Sequence, residues 1–150
     1  MAKELVVTKR DEGEELTALG AQVRFLCPAD KTDRAWSLME VVLPKRAGPP
    51  PHHHSWDEAY YVVEGEVEFN LAGKPQTVKA GDFIYAPGGT PHGFQGASDK
   101  PARIIIFDAP AHAEGFFREV DREVKEMPRD LPKVLQIGDR HQIHFLPPRQ

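Results

Sequence analysis

Three histidines and a glutamate, His52, His54, Glu58 and His92, constrain what this chain can fold into more than any other feature. The first three lie in His52-His53-His54-Ser55-Trp56-Asp57-Glu58, followed by Gly65. The fourth closes the run Gly81-Asp82-Phe83-Ile84-Tyr85-Ala86-Pro87-Gly88-Gly89-Thr90-Pro91-His92. Side chains alternate faces along an extended segment, so His52 and His54 share a face and His53 points the other way. Glu58 arrives on the next strand after a short loop, and His92 joins only if another strand is brought alongside. Three imidazoles and one carboxylate make the ligand set of an open transition-metal site. Imidazole suits zinc, copper, iron and nickel, and one carboxylate shifts the balance towards iron or manganese. The set predicts one divalent transition metal per chain on His52, His54, Glu58 and His92, with iron, manganese, nickel, copper and zinc all open.

The rest of the pattern supplies the strands. Short β-rich runs at 5–7, 21–27, 36–43, 59–63, 66–71, 83–86, 92–95 and 103–108 are separated by Gly and Pro turn chemistry. Glu64-Gly65 between two of these runs predicts a tight hairpin. Strands this frequent argue for a sandwich or a barrel. After Asp108 the period changes. Phe116, Phe117, Val120 and Val124 gather on one side of a helix over 113–126, which Pro128 ends. A shorter helix is expected from Asp130 as its N-cap, with Leu131, Val134 and Leu135 inward. The closing run 143–148 is apolar enough to dock on the strands. The chain thus divides into a β portion, 1–110, and a helical tail, 111–150, within one domain.

The two histidine segments resemble the two motifs of the cupin superfamily. His52, His54, Glu58 and Gly65 fit His-x-His-x3-Glu-x6-Gly; Gly81, Pro87, Gly89 and His92 fit Gly-x5-Pro-x-Gly-x2-His. Two positions depart from the pattern: Gly48 precedes His52 by four residues across Pro49-Pro50-Pro51, and Gly96 stands where an asparagine is usual. Neither is a ligand position. The tail, with 114–119 and the closing Phe145-Leu146-Pro147-Pro148, resembles that of small quercetin-dioxygenase-like cupins. The resemblance implies a mainly β double-stranded β-helix, a jelly-roll barrel, with a short C-terminal α-helical tail. It also implies a metal-dependent oxidoreductase of quercetin-dioxygenase type acting on a small organic molecule, and a homodimer. A non-redox lyase or isomerase and a non-catalytic metal or small-ligand binding module are the alternatives, because one fold hosts many chemistries.

Around the metal, Glu58 is the candidate catalytic residue, since a carboxylate that detaches acts as a base. Tyr60 shares the face of Glu58 and Phe94 that of His92, so both are candidate pocket residues, and Trp56 is placed at the pocket mouth. Glu40 is expected on the surface. His112, His141 and His144 are read as packing or solvated side chains. With 23 acidic and 19 basic residues the chain carries a net charge of −4, which gives no support to nucleic-acid binding. No apolar run approaches the roughly 20 residues of a membrane span. The single cysteine, Cys27, and the charged start of the chain predict a cytoplasmic protein.

Overall fold

The computed structural model describes residues 3–147, and they form two β-sheets packed face to face with two helices at the C-terminal end. The first sheet joins β1 (Glu15–Ala18), β2 (Ala21–Cys27), β3 (Ser37–Leu43), β10 (Ala102–Ala109), β5 (Asp57–Glu64) and β8 (Phe83–Ala86), in that order. The second joins β11 (His144–Phe145), β4 (His52–His53), β9 (His92–Gly96), β6 (Glu66–Leu71) and β7 (Lys74–Lys79). Helices α1 (Glu114–Glu123) and α2 (Leu131–Arg140) precede β11.

Alternation builds the core. On β3 the residues Ser37, Met39, Val41 and Leu43 face inward, and on β10 Ala102, Ile104, Ile106 and Asp108 do the same. They meet Val67, Phe69 and Phe94 of the second sheet, all buried. Each fully buried aliphatic or aromatic side chain contributes on the order of 1.5–3 kcal/mol. Strand β10 is central, hydrogen-bonded to both β3 and β5. It sets Ser37, Asp108 and Glu58 level with one another across three strands.

The expectation of a closed barrel fails. Among the described residues each sheet ends in edge strands without a further partner, β1 and β8 in one and β11 and β7 in the other. The hairpin expected at Glu64-Gly65 fails for a related reason. Strand β5 pairs with β10 and β8, whereas β6 pairs with β7 and β9, so Gly65 is a corner between sheets rather than a turn within one. Gly65 has φ +77°, and a Cβ there would lie 2.8 Å from the Cα of Ala102. Only glycine tolerates both that angle and that approach. The chain changes sheet there instead of extending a ladder.

Other boundaries shift. Residues 5–7 form no strand, and Leu5 and Val7 are exposed. Helix α1 stops at Glu123, short of 126. Asp130 does precede α2, but its carboxylate accepts from the backbone N–H of Lys125 and Glu126 rather than capping the helix. The docked tail is visible as far as Pro147, with Phe145 of β11 paired to His52; Pro148 lies outside the described residues.

Candidate metal centre

The β4–β9 pairing brings the two histidine segments together. His52 and His92 are direct cross-strand partners, with ring centroids 4.4 Å apart, and His54 lies two residues past His52 with its ring 4.9 Å from that of His92. All three are buried, and their ligand nitrogens lie within 4.8 Å of one another. Each Nδ1 donates to a backbone carbonyl two residues away: His52 to Pro50 at 2.8 Å, His54 to Trp56 at 3.0 Å, His92 to Thr90 at 2.8 Å. A carbonyl can only accept, so the proton of each neutral ring sits on Nδ1 and the Nε2 lone pair is free. Among the described residues, no donor meets the buried Nε2 of His54 or of His92.

Glu58 completes the cluster from the other sheet. Its Oε1 lies 2.7 Å from His54 Nε2 and its Oε2 3.7 Å from His92 Nε2. With Nδ1 already donating, the 2.7 Å contact sets a nitrogen lone pair against a carboxylate oxygen. Two acceptors that close require a cation or an added proton between them. The donor set and its orphaned lone pairs therefore fit a divalent metal, through His52, His54 and His92 and with Glu58 alongside. Glu58 does not belong to the compact group that the three histidines form, and its Oε2 also accepts a hydrogen bond from the Tyr60 hydroxyl.

Burial and local charge set the ionisation. Burial, then the neighbouring His92, pull His52 down to about 3, so its ring is neutral at physiological pH. Burial disfavours the Glu58 carboxylate, but His54 and His92 outweigh it and hold Glu58 well below the usual range. Burial lowers His92, and the Glu58 carboxylate more than offsets this and raises it. Tyr60 is pushed well above its usual range by burial and then by Glu58. Asp108 is pushed the same way by the same two causes.

A cavity adjoins the cluster. Its walls enclose about 410 Å³, part of it open to solvent, while the volume open to the centre of a water-sized sphere is about 30 Å³. Its polar end is His52, Glu58 and Asp108; its apolar walls include Phe94, Ile106, Phe116, Phe117 and Phe145. Of the pocket residues expected from sequence, Phe94 lines this cavity. Tyr60 lies behind Glu58, its ring 5.5 Å from that of Phe94. Trp56 is buried and stacked flat on His54, centroids 4.1 Å apart and 6° between planes, rather than set at a mouth. Tyr85 is exposed, and Glu40 bridges Arg24 and Arg103 near the surface, away from the histidines. His53 turns towards His144, His141 binds Glu119, and His112 meets the edge of Trp56. Asp108 and the tail residues Phe116, Phe117 and Phe145 were not among the expected site residues. A buried acid ending an otherwise apolar alternation, at Asp108 after Ile104 and Ile106, was the signal that could have found the first.

The uncharacterized protein MJ1618 of Methanocaldococcus jannaschii is 32% identical over 78 residues, which cover 51% of this chain and 62% of that protein. Dimethylsulfoniopropionate lyase DddQ of Ruegeria pomeroyi is 31% identical over 67 residues, 44% of this chain and 33% of the lyase. The chain thus spans less than two thirds of either relative. Among solved structures, the polyketide cyclase RemF of Streptomyces resistomycificus superposes with a TM-score of 0.62 at 24% identity, covering 71% of this chain and 80% of the cyclase. That likeness speaks for the fold. The Cupin domain model of the Cupin_2 family matches residues 39–108, which hold both histidine segments and the β10 strand that faces them. Over that stretch, just under half of its length, the chain is similar to the cupin family.

Proposed function

We propose that this chain is a metal-dependent enzyme, holding one divalent transition metal on His52, His54 and His92 with Glu58 as fourth ligand, and acting on a small organic molecule in the adjoining cavity. The observation that carries the reading is the convergence of three buried imidazoles whose Nδ1 atoms are all engaged by backbone carbonyls. The leading reaction class is oxidation resembling that of quercetin-type dioxygenases, supported by a nitrogen-rich set that accommodates iron, manganese, nickel or copper. When bound, such a metal supplies redox or Lewis-acid chemistry. The chain supplies the rest. The carbonyls of Pro50, Trp56 and Thr90 fix the ring tautomers and orientations. Phe94, Phe116, Phe117 and Phe145 exclude water from the space beside the carboxylates.

A second reading, a non-redox lyase or isomerase, is favoured by the Tyr60–Glu58 hydrogen bond. It steadies Glu58 from behind, so that the carboxylate can take a proton from a ligand at Oε1. Tail and strands act as one unit in both readings, because Ala113, Phe116, Phe117, Ile143 and Phe145 wall the cavity. We place the protein in the cytoplasm, on its single cysteine. A homodimer is the proposed assembly, supported by the outward Tyr61, Val63, Phe83 and Tyr85 of β5 and β8.

Elemental analysis of untagged protein, followed by oxygen-uptake screening, tests the reading. Roughly one redox-active metal per chain and substrate-dependent oxygen consumption are expected. Zinc with turnover but no oxygen uptake would replace the oxidoreductase by the lyase or isomerase. Binding of metal without any turnover would leave a binding module.

A further inference from the structure

Asp108 is the buried group that the metal centre leaves without a task. It is 0% exposed, and neither Oδ1 nor Oδ2 receives a hydrogen bond from any donor among the described residues; the group beside it is the Glu58 carboxylate, itself an acceptor. Burying a carboxyl unpaired costs stability, and such groups are rare in folded proteins. Ser37, its direct cross-strand partner on β3, has a hydroxyl that is likewise buried and unpartnered. Directly opposite residues on one face bring their side chains within reach of each other. Ser37, Asp108 and Glu58 therefore form a polar row that ends at the histidines, and Asp108 opens onto the cavity. Elsewhere the cavity wall is mostly Phe and Ile.

We propose that Asp108 is a ligand-binding residue that accepts a hydrogen bond from a hydroxyl group on a small, mainly apolar substrate. The assignment rests on the enzyme reading above and narrows it to a substrate class. One polar atom of the ligand approaches the histidine cluster, its hydroxyl meets Asp108, and its apolar body lies among Phe94, Ile106, Phe116, Phe117 and Phe145. The room in the cavity holds only a few water molecules, so a larger ligand displaces side chains of the tail as it enters. Hydroxyl compounds are then selected over methyl isosteres, because a buried acceptor left unpaired penalises the wrong ligand.

Two matched probe pairs test this: phenol against toluene, and cyclohexanol against methylcyclohexane. Binding is titrated by NMR to the zinc-loaded and the metal-free full chain, for wild type, Asp108→Val and Asp108→Asn. In at least one pair the alcohol is expected to bind wild type roughly ten-fold more tightly than its partner, with and without zinc. The preference is expected to vanish in Asp108→Val and to persist in Asp108→Asn, which keeps an acceptor oxygen. Asp108→Val is also expected to melt a few degrees higher, having shed an unpaired buried carboxyl. A preference that needs zinc, one that survives Asp108→Val, or no binding of any probe would overturn the assignment. Failure to take up zinc, with the metal-free preference intact, would instead count against the metal centre alone.

Discussion

The two sheets furnish opposite halves of the site, and they do so in different states of readiness. The five-stranded sheet brings nitrogen: His52 and His92 on paired strands, with His54 just beyond. Each ring is pinned through Nδ1 by a carbonyl two residues away, so nothing about its orientation waits for a ligand. The six-stranded sheet brings oxygen: Glu58 and Tyr60 from β5, Asp108 from β10, Ser37 from β3. Here Tyr60 donates to Glu58, which lies against Asp108, while among the described residues nothing donates to Asp108 and the Ser37 hydroxyl has no partner. The nitrogen half is organised for one cation. The oxygen half is left incomplete, which fits a surface finished by a ligand.

Substitutions can break this division, and the largest effect belongs to the nitrogen half. His54→Ala or His92→Ala should drop metal content from about one per chain to near zero by elemental analysis, with the β-sheet circular dichroism retained. Unchanged stoichiometry would dissolve the contrast between the sheets. Acid should act on the same half. His52 is held at about 3 in the folded state, against about 6.5 unfolded. The unfolded chain therefore binds more protons between these values, and stability rises with pH across that window. The metal-free protein should lose on the order of several kcal/mol as pH falls from about 6.5 towards 3. Urea midpoints would show it, and His52→Asn should flatten the dependence.

Tyr60→Phe lies on the seam between the halves. Losing the hydroxyl that holds Glu58 should weaken metal affinity by roughly ten- to a hundred-fold, as loss of such supporting partners does. A chelator competition would measure it, and an unchanged affinity would mean that Glu58 does not contribute to the metal. The smallest effect is expected outside both halves. Lys100→Ala, in the exposed bend before β10, should change stability by no more than about 0.5 kcal/mol. Metal content should be unaffected.

The nitrogen half was legible in the sequence because its information is local. His52 and His54 sit two apart on an extended run, and the glycines and prolines before His92 mark a turn into another strand. Period-2 alternation also exposed most strands, and the 3.6 period exposed α1. What failed was non-local. Glu64-Gly65 reads as a two-residue hairpin turn, yet the contact that decides its role is with Ala102 on a distant strand. The same blindness produced the barrel, since a strand's own residues do not say whether it ends a sheet. Asp108 was missed because its place beside Glu58 and Ser37 follows from the register of β10 against two neighbours. The aromatic residues of the tail were read as packing alone, whereas their docking places them at the cavity.

The most direct test of the account is a crystal structure of the manganese- or cobalt-loaded protein, with the metal located by anomalous scattering. The account predicts a single strong peak about 2.0–2.3 Å from Nε2 of His52, His54 and His92, with their Nδ1 atoms still on the carbonyls of Pro50, Trp56 and Thr90. A peak bound through Nδ1, a peak away from these three rings, or none at all in protein shown to carry metal would contradict it.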